Sequence, residues 1–184
     1  MALLYRINGV SPSKGKNCFI APNATLCGDV VMGDECSIWF NAVVRGDVNS
    51  IRMGNRVNVQ DGAVIHCTYQ KTTTQIGNNV SIGHNAIVHG CVIEDKVLVG
   101  MGAIVMDHAH IGTCSIIAAG AVVLENTVVE PYSVYAGIPA KKVKTITPEL
   151  VDGEIERIAG NYVRYSSWYQ SAAAENETEH SENE

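Results

Sequence analysis

Residues 76–129 read IGNNVSIGHNAIVHGCVIEDKVLVGMGAIVMDHAHIGTCSIIAAGAVVLENTVV, and an aliphatic side chain returns at almost every sixth position of this stretch. The run begins at Ile76 and ends at Val129, and one unit, 88–92, is a residue short. A fixed period held over so many units is typical of a repeat architecture and not of ordinary alternating strands. The sequence therefore predicts a solenoid in which each unit is one short strand and one corner.

The same six-residue step extends towards the N-terminus, with three extra residues near 47–52 and five in 67–75. Three units should close one triangular coil, so that each opening side chain points inward and stacks on its counterpart at about 4.8 Å. The two sets of extra residues are expected to be loops that leave the coil. The opening positions are Ile20, Leu26, Met32, Ile38, Val44, Met53, Val59, Ile65, Ile76, Ile82, Val88, Ile93, Val99, Val105, Ile111, Ile117, Val123 and Val129.

The repeat stops after Val129, and the prediction divides the chain into three parts. Residues 1–146 form a β-helix domain, with repeats over about 20–134. Thr147 and Pro148 fit the N-cap and first turn of a helix over 147–170, which should lie along the outside of the β-helix and end near Trp168. Residues 171–184 hold five Glu and no Lys or Arg, which is typical of a disordered acidic tail.

The charge and apolar content exclude several classes of function. The formal net charge is −6, but most of it lies in the tail, so the folded part is close to neutral and nothing in it suggests a surface for nucleic acid. No segment reaches the ~20 apolar residues of a membrane helix, and the apolar run within 1–10 is too short for a secretory signal. The six cysteines form no CxxC pair, so we expect reduced thiols and a cytoplasmic protein that binds neither nucleic acid nor membrane.

The register of the coils predicts which histidines lie together. Arg45, His66 and His89 follow opening residues of three successive coils, so His66 and His89 should be stacked neighbours on one face. His84 falls on the preceding face, one coil from Asp61, and a corner separates it from that pair. In a three-fold trimer, this face would meet the His66/His89 column of the next chain. The three imidazoles would then match a catalytic zinc site with an open fourth position.

Five motifs carry a resemblance to a known family: WFNAVVRGDV at 39–48, NVQDGAVIH at 58–66, SIGHNAIVHGC at 81–91, VGMGAIV at 99–105 and YAGIPAKKV at 135–143. Over residues 10–145 the chain resembles the γ-class carbonic anhydrases of the hexapeptide-repeat superfamily. The resemblance implies an all-β fold, a left-handed parallel β-helix that forms a homotrimer, with a C-terminal helix packed along it. It also implies metal sites between subunits and reversible hydration of CO₂ to bicarbonate by a zinc-bound hydroxide, with iron or cobalt as alternative metals.

The resemblance assigns roles to individual residues through these motifs. Gln60 matches the side chain that positions the metal-bound hydroxide. Arg45 would need a carboxylate partner in a buried site, and Asp61 on the neighbouring face could supply it. The zinc ligands match His66, His84 and His89, a charged network between neighbouring chains matches Arg45, Asp47 and Asp61, and a polar residue close to the metal matches Asn58.

The chain departs from that family's pattern where a proton must leave the site. Val48 stands where the pattern has a glutamate, and the loop TYQKTTTQ at 68–75 lacks the acidic shuttle residue. Tyr69 or Tyr135 could overhang the site instead. Two alternatives to a zinc lyase stay open. One is an acyltransferase or CoA-thioester hydrolase, because GIPAKKV at 137–143 resembles the exit motif of hexapeptide acyltransferases, and the other is a catalytically weak metal-binding scaffold.

Overall fold

The computed structural model describes residues 2–181, and for 172–181 it describes the backbone alone. This part of the chain forms a parallel β-helix of short strands followed by a long C-terminal helix. The predicted fold class, an all-β left-handed parallel β-helix with a C-terminal helix, is confirmed. The strands are β1 Leu3–Tyr5, β2 Ser13–Lys14, β3 Phe19–Ile20, β4 Thr25–Met32, β5 Ser37–Ile38, β6 Val43–Met53, β7 Asn58–Val59, β8 Val64–His66, β9 Thr74–Ile76, β10 Ser81–Ile82, β11 Ile87–His89, β12 Val92–Ile93, β13 Leu98–Val99, β14 Ile104–Val105, β15 His110–Ile111, β16 Ile116–Ile117, β17 Val122–Val123, β18 Val128–Val129, β19 Ser133–Ala136 and β20 Lys141–Thr145.

The strands lie on three faces of the β-helix. We call the face of β8, β11, β14 and β17 the histidine face, and the face of β3, β5, β7, β10, β13, β16 and β19 the helix face. The third face contains β9, β12, β15 and β18. Strand β6 turns a corner between two faces, because its first part pairs with β8 and its last part pairs with β9. The final strand, β20, pairs antiparallel with β19.

The opening residues of the repeat form the core, as predicted. Those from Leu26 onward have relative exposures between 0% and 5%, and Ile20 packs against the core from its edge. The stacking follows the predicted register, since Val88 pairs with Ile65 in one neighbouring coil and with Val105 in the other. The interior is narrow because each coil contributes few and mostly small aliphatic side chains.

One corner of the β-helix is held by a ladder of side-chain oxygens. Asp34 Oδ1 accepts the backbone N–H of Lys16 at 2.7 Å, and Asn55 Oδ1 accepts that of Asp34 at 2.8 Å. Asn78 and Asp95 continue the series one coil at a time. These donors lie at corners, where strand pairing is interrupted, so the Asn and Asp side chains satisfy backbone groups that would otherwise lack partners.

Two parts of the β-helix correct the sequence-based expectation. The stretch 47–52 is not a loop, because Val43–Met53 is one strand and the extra residues form a bulge inside it, where the pairing with β4 shifts register. The β-helix also begins before Ile20, since β1 and β2 both pair with β4. The side chains of β1 are exposed, so the inward periodicity that marks later coils is missing there. The second set of extra residues does form a loop, over 67–73.

The C-terminal region starts where it was predicted to start. Thr147 is the N-cap and has an extended backbone, although its side chain makes no capping hydrogen bond. A short helix α1, Pro148–Leu150, leads into a π-helical segment, Val151–Glu156, and then into α2, Arg157–Ser181. Ile155 is fully buried in a small cluster between this segment and the helix face.

Helix α2 runs past Trp168, where the helix was expected to end. Its backbone stays helical to Ser181, over most of the stretch for which the sequence predicts a disordered tail, and residues 182–184 lie outside the described part of the chain. Ala172, Ala173 and Ala174 together with the following glutamates are good helix formers, which favours the longer helix. Within residues 2–181, no helix combines the length and apolar character needed to span a membrane.

Candidate functional site

His66 and His89 lie side by side at the ends of β8 and β11. The two strands are paired in register with His89 opposite His66, and the ring centroids are 5.2 Å apart. His66 Nδ1 lies 3.1 Å from His89 Nε2. The structure therefore brings together the two histidines that the repeat register predicted to lie on neighbouring coils.

Asp47 orients His66 from the bulge of β6. Its Oδ1 lies 3.2 Å from His66 Nε2, and its carboxylate accepts two hydrogen bonds from Arg45, at 2.8 and 3.0 Å. Burial raises the pKa of Asp47, but the hydrogen bonds and charge of Arg45 outweigh this and the net pKa is lowered. Burial, followed by the charge of Arg45, lowers the pKa of His66. At neutral pH the pair is therefore a carboxylate and a neutral imidazole.

Asp107 does for His89 what Asp47 does for His66, and the sequence analysis missed it. Its Oδ1 lies 2.6 Å from His89 Nδ1, and its Oδ2 accepts the Thr68 hydroxyl at 2.6 Å. Burial raises the pKa of Asp107, but the hydrogen bonds from Thr68 and His89 lower it by a larger amount, so the net pKa is lowered. The glycine that follows His89 was a possible sequence signal for this close contact, because a Cβ at Gly90 would collide with Asp107 Oδ1 and Thr72 Oγ1.

His84 lies on the helix face, across a corner from this pair. Its Nδ1 is 2.9 Å from Asp61 Oδ2, and its Nε2 is 3.4 Å from the Tyr162 hydroxyl of α2. Burial, followed by the charge of Asp61, raises the pKa of Tyr162 to about 12, so this hydroxyl stays protonated. Within this chain, Asp61 thus pairs with His84, and Arg45 pairs with Asp47. The expected partnership of Asp61 with Arg45 across neighbouring chains stays a prediction.

Gln60 is held in place by a short chain of buried polar side chains. Gln60 Nε2 donates to Asn58 Oδ1 at 3.0 Å, and Asn58 Nδ2 donates to Ser81 Oγ at 2.8 Å. All three residues are buried. Because Nε2 is used in this way, the amide orientation of Gln60 is fixed and its Oε1 remains available as an acceptor. Gln60 and His84 line one apolar cavity of about 390 Å³, together with Leu98, Ile116, Ile158 and Tyr162.

The two tyrosines considered as overhanging residues do not cover the histidines in this chain. Tyr135 lies in register with Ile117, is 8% exposed and belongs to the main core. Tyr69 is exposed at the tip of the 67–73 loop, where its hydroxyl accepts a hydrogen bond from Gln70. Tyr135 takes an inward position because the last coil keeps the repeat register although its side chain is not aliphatic.

Each of the three histidines thus has one ring nitrogen paired with a carboxylate, and the second ring nitrogen makes no contact with a carboxylate. The second nitrogen of His84 lies near the Tyr162 hydroxyl instead. The pairs are His66 with Asp47, His84 with Asp61 and His89 with Asp107. Such carboxylate partners fix the tautomer of a metal-ligating imidazole and raise its basicity. His110 also has a carboxylate partner, Glu94, but it lies on the third face of the β-helix.

The His66/His89 pair fits a metal ion that prefers nitrogen ligands. If both outer nitrogens donate to carboxylates, both facing nitrogens carry lone pairs, and lone pairs 3.1 Å apart repel unless a cation lies between them. Two nitrogens bonded to one tetrahedral zinc are about 3.3 Å apart, given bonds of ~2.0 Å. Among the residues whose side chains the structure describes, no three His, Cys, Asp or Glu of one chain form a metal site, so this chain alone offers two of the three expected ligands.

Comparison with known proteins places these features in a family. The model of the bacterial transferase hexapeptide family, described as six repeats, matches residues 15–46 and 90–125. A carbonic anhydrase of Geobacillus kaustophilus is 38% identical, and the match covers 92% of each chain. The mitochondrial gamma carbonic anhydrase 1 of Arabidopsis thaliana is 39% identical over 94% of this chain, which spans only 63% of that relative's length.

A solved structure agrees with the sequence comparisons. The hexapeptide transferase family protein from Anaplasma phagocytophilum superposes with a TM-score of 0.86 and is 40% identical, and the match covers 91% of this chain and 98% of that one. Names that refer to carbonic anhydrases and names that refer to transferases therefore both occur among proteins with this fold and with substantial sequence identity to the chain.

Proposed function

Since the chain belongs to the γ-class carbonic anhydrase-like family of hexapeptide-repeat proteins, we propose that it is a metal-dependent enzyme that interconverts CO₂ and bicarbonate. The observation that carries the proposal is the set of three carboxylate–imidazole pairs, because on each of His66, His84 and His89 the carboxylate occupies one ring nitrogen and leaves the other to bind a metal. On His84 that nitrogen, Nε2, would exchange its contact with the Tyr162 hydroxyl for the metal. Zinc is the proposed metal, and iron or cobalt are the alternatives, since imidazole accepts all three. A cytoplasmic location stays a prediction.

The metal would be held by His66 Nδ1 and His89 Nε2 of one chain and by His84 Nε2 of another. When bound by three imidazoles, zinc supplies a Lewis acid that makes water nucleophilic near neutral pH. The chain's own contribution is orientation. Gln60 Oε1 can accept a hydrogen bond from the attacking water, because Asn58 holds the other end of the amide. Asp47, Asp61 and Asp107 keep the imidazole N–H groups pointing away from the metal position.

The surface beside the histidines supports a trimer in which each site is shared. Beyond His89, the next two residues of that column are Met106 and Leu124, and they are 38% and 47% exposed. Ile87, which is also exposed, lies on the same face. An exposed apolar stripe that continues from a polar site is typical of a subunit contact.

The register of the two faces also suits a cyclic trimer. If the symmetry axis is parallel to the β-helix, equal coils of neighbouring chains lie at equal heights. The His89 coil of one chain then faces the His84 coil of the next, and the Met106 coil faces that of Met101, which is 59% exposed. Each histidine and each exposed methionine would thus find a matching partner. A homotrimer with three metal sites between its subunits is therefore our proposed assembly.

Asp107 gives a test of the metal site that does not depend on turnover. We expect Asp107→Asn to weaken zinc binding by about 10–100-fold, because His89 loses the carboxylate that fixes its tautomer and raises its basicity. The measurement is competition with a chromogenic zinc chelator. Glu125→Gln, which removes a charge at the equivalent corner one coil further, is the matched control and should leave zinc affinity unchanged. Equal affinities for wild type and Asp107→Asn would contradict this role for Asp107.

A second candidate function is favoured by the cavity beside His84. Its volume of about 390 Å³ and its apolar walls exceed what CO₂ requires, and they would suit the acyl group of a thioester. Acyl transfer or CoA-thioester hydrolysis by the same metal site is therefore the alternative.

The two functions are separated by assaying CO₂ hydration and a panel of acyl-CoA thioesters in parallel, each with and without a chelator. We expect CO₂ hydration that the chelator abolishes and that zinc restores. Thioester turnover without CO₂ hydration would replace the proposed function by the alternative. Zinc binding without either activity would identify the chain as a metal-binding scaffold and overturn both.

A further inference from the structure

Two cysteines are stacked at the N-terminal end of the β-helix, on the helix face and away from the three histidines. Cys18 precedes β3 and Cys36 precedes β5, and these strands pair in parallel with Phe19 opposite Ser37. The two cysteines are therefore neighbours in adjacent coils. Both are free thiols in the structure, and each donates to a backbone carbonyl, Cys18 to Gly33 at 3.1 Å and Cys36 to Gly54 at 3.1 Å.

The spacing of the two backbones suits a disulfide. Paired parallel strands are about 4.8 Å apart, and the Cα atoms of disulfide-bonded cysteines lie about 4.4–6.8 Å apart. Both side chains also point towards the same end of the β-helix, because their carbonyl acceptors lie in the next coil in each case. Rotation about the side-chain bonds could bring the two sulfurs together without moving the strands.

The two thiols differ in access and in acidity. Cys18 is partly exposed and lines an apolar cavity of about 470 Å³, whose other walls include Leu4, Phe40 and Lys14. Cys36 is fully buried behind it. The neighbouring Cys36 thiol lowers the pKa of Cys18 to about 6, with a smaller contribution from the charge of Lys14, and the proximity of Cys18 raises the pKa of Cys36. An accessible thiolate beside a buried thiol is the arrangement of an attacking and a resolving cysteine.

We propose that Cys18 and Cys36 form a redox-active pair that small disulfide compounds oxidise to an intramolecular disulfide. The Cys18 thiolate attacks one sulfur of the small disulfide, which forms a mixed disulfide and releases the other half as a thiolate. Cys36 passes its proton to that thiolate and attacks Cys18 Sγ, which breaks the mixed disulfide and releases the second half. Two protein thiols are oxidised by two electrons, and one small disulfide is reduced to two thiols.

The test uses the full chain, oxidised glutathione and peptide mapping under non-reducing conditions. Trypsin releases 17–45 as one peptide, because no Lys or Arg lies between Asn17 and Arg45, and a glutamate-specific protease then cuts it after Glu35. After oxidation at neutral pH and blocking of free thiols, we expect 17–35 and 36–45 to remain joined and to separate on reduction. The proposal does not rest on the carbonic anhydrase function, because the readout involves no turnover.

Three single variants identify the cysteines that react. Cys18→Ser should lose both the cross-link and any glutathione adduct, and Cys36→Ser should accumulate the adduct on Cys18. Cys27→Ser is the matched control, because Cys27 lies in the 17–35 fragment, and the cross-link should persist in it. Circular dichroism confirms that each variant is folded. Separate fragments in the oxidised wild type, or a cross-link that survives Cys18→Ser, would overturn the proposal.

Discussion

A one-to-one mixture of His84→Ala and His89→Ala chains, refolded together, is expected to regain about a quarter of the wild-type CO₂ hydration, although each variant alone has almost none. In a shared site, one chain supplies the His66/His89 pair and its neighbour supplies His84. About three-quarters of randomly mixed trimers contain both variants, and each of these has one complete interface out of three. The variants are unfolded together, refolded with zinc and assayed against separately refolded samples.

The matched control is a mixture of His66→Ala with His89→Ala chains. Both substitutions damage the same side of every interface, so random mixing restores no complete site and activity should stay at the level of the single variants. If wild type is active but the His84/His89 mixture is not restored, the shared site is wrong while the activity stands. If wild type itself is inactive, the proposed function fails first.

Ile65→Ala is expected to reduce the free energy of unfolding by about 2–5 kcal/mol, because it leaves a cavity in a core that cannot collapse around it. Ile65 is fully buried and stacks between Val44 and Val88 of the adjacent coils. Those backbones are fixed by strand pairing on both sides, so the lost side chain cannot be replaced by movement of its neighbours. The measurement is urea denaturation followed by circular dichroism, at one protein concentration throughout.

Val128→Ala is the control for this loss of stability. Val128 is 69% exposed and precedes the fully buried Val129 in the same strand, so its truncation should change the free energy of unfolding by no more than about 0.5 kcal/mol. Similar losses for the two variants would mean that the inward column does not carry the stability of the β-helix.

The position of His66 opposite His89 could be predicted because, in a regular repeat, residues separated by one full coil of sequence are neighbours in space. Once the opening residues are fixed, coil and face follow for every residue between them, including His84 and Asp61. The same counting predicted the buried column and a loop within 67–75, which the structure has at 67–73. It worked even across the five-residue unit at 88–92, since the next aliphatic residue restores the register.

The carboxylate partners could not be predicted by counting, because they depend on where side chains reach. Asp107 lies at a corner of the coil beyond His89 and turns back towards it, into space that Gly90 leaves free. Asp47 reaches His66 only because residues 47–50 form a bulge, which the repeat period registers as an interruption without showing its shape. Tyr162 approaches His84 from α2, and no repeat relates that helix to the β-helix.

The corner that separates His84 from the other two imidazoles has a consequence for a newly made chain. If the metal site is shared between subunits as proposed, a single chain presents two of the three nitrogen donors and should bind a divalent metal ion only weakly before the trimer forms. Tight metal binding and catalysis would then both begin when the trimer forms. Keeping single chains dilute or sequestered would then keep them catalytically inactive without any inhibitor.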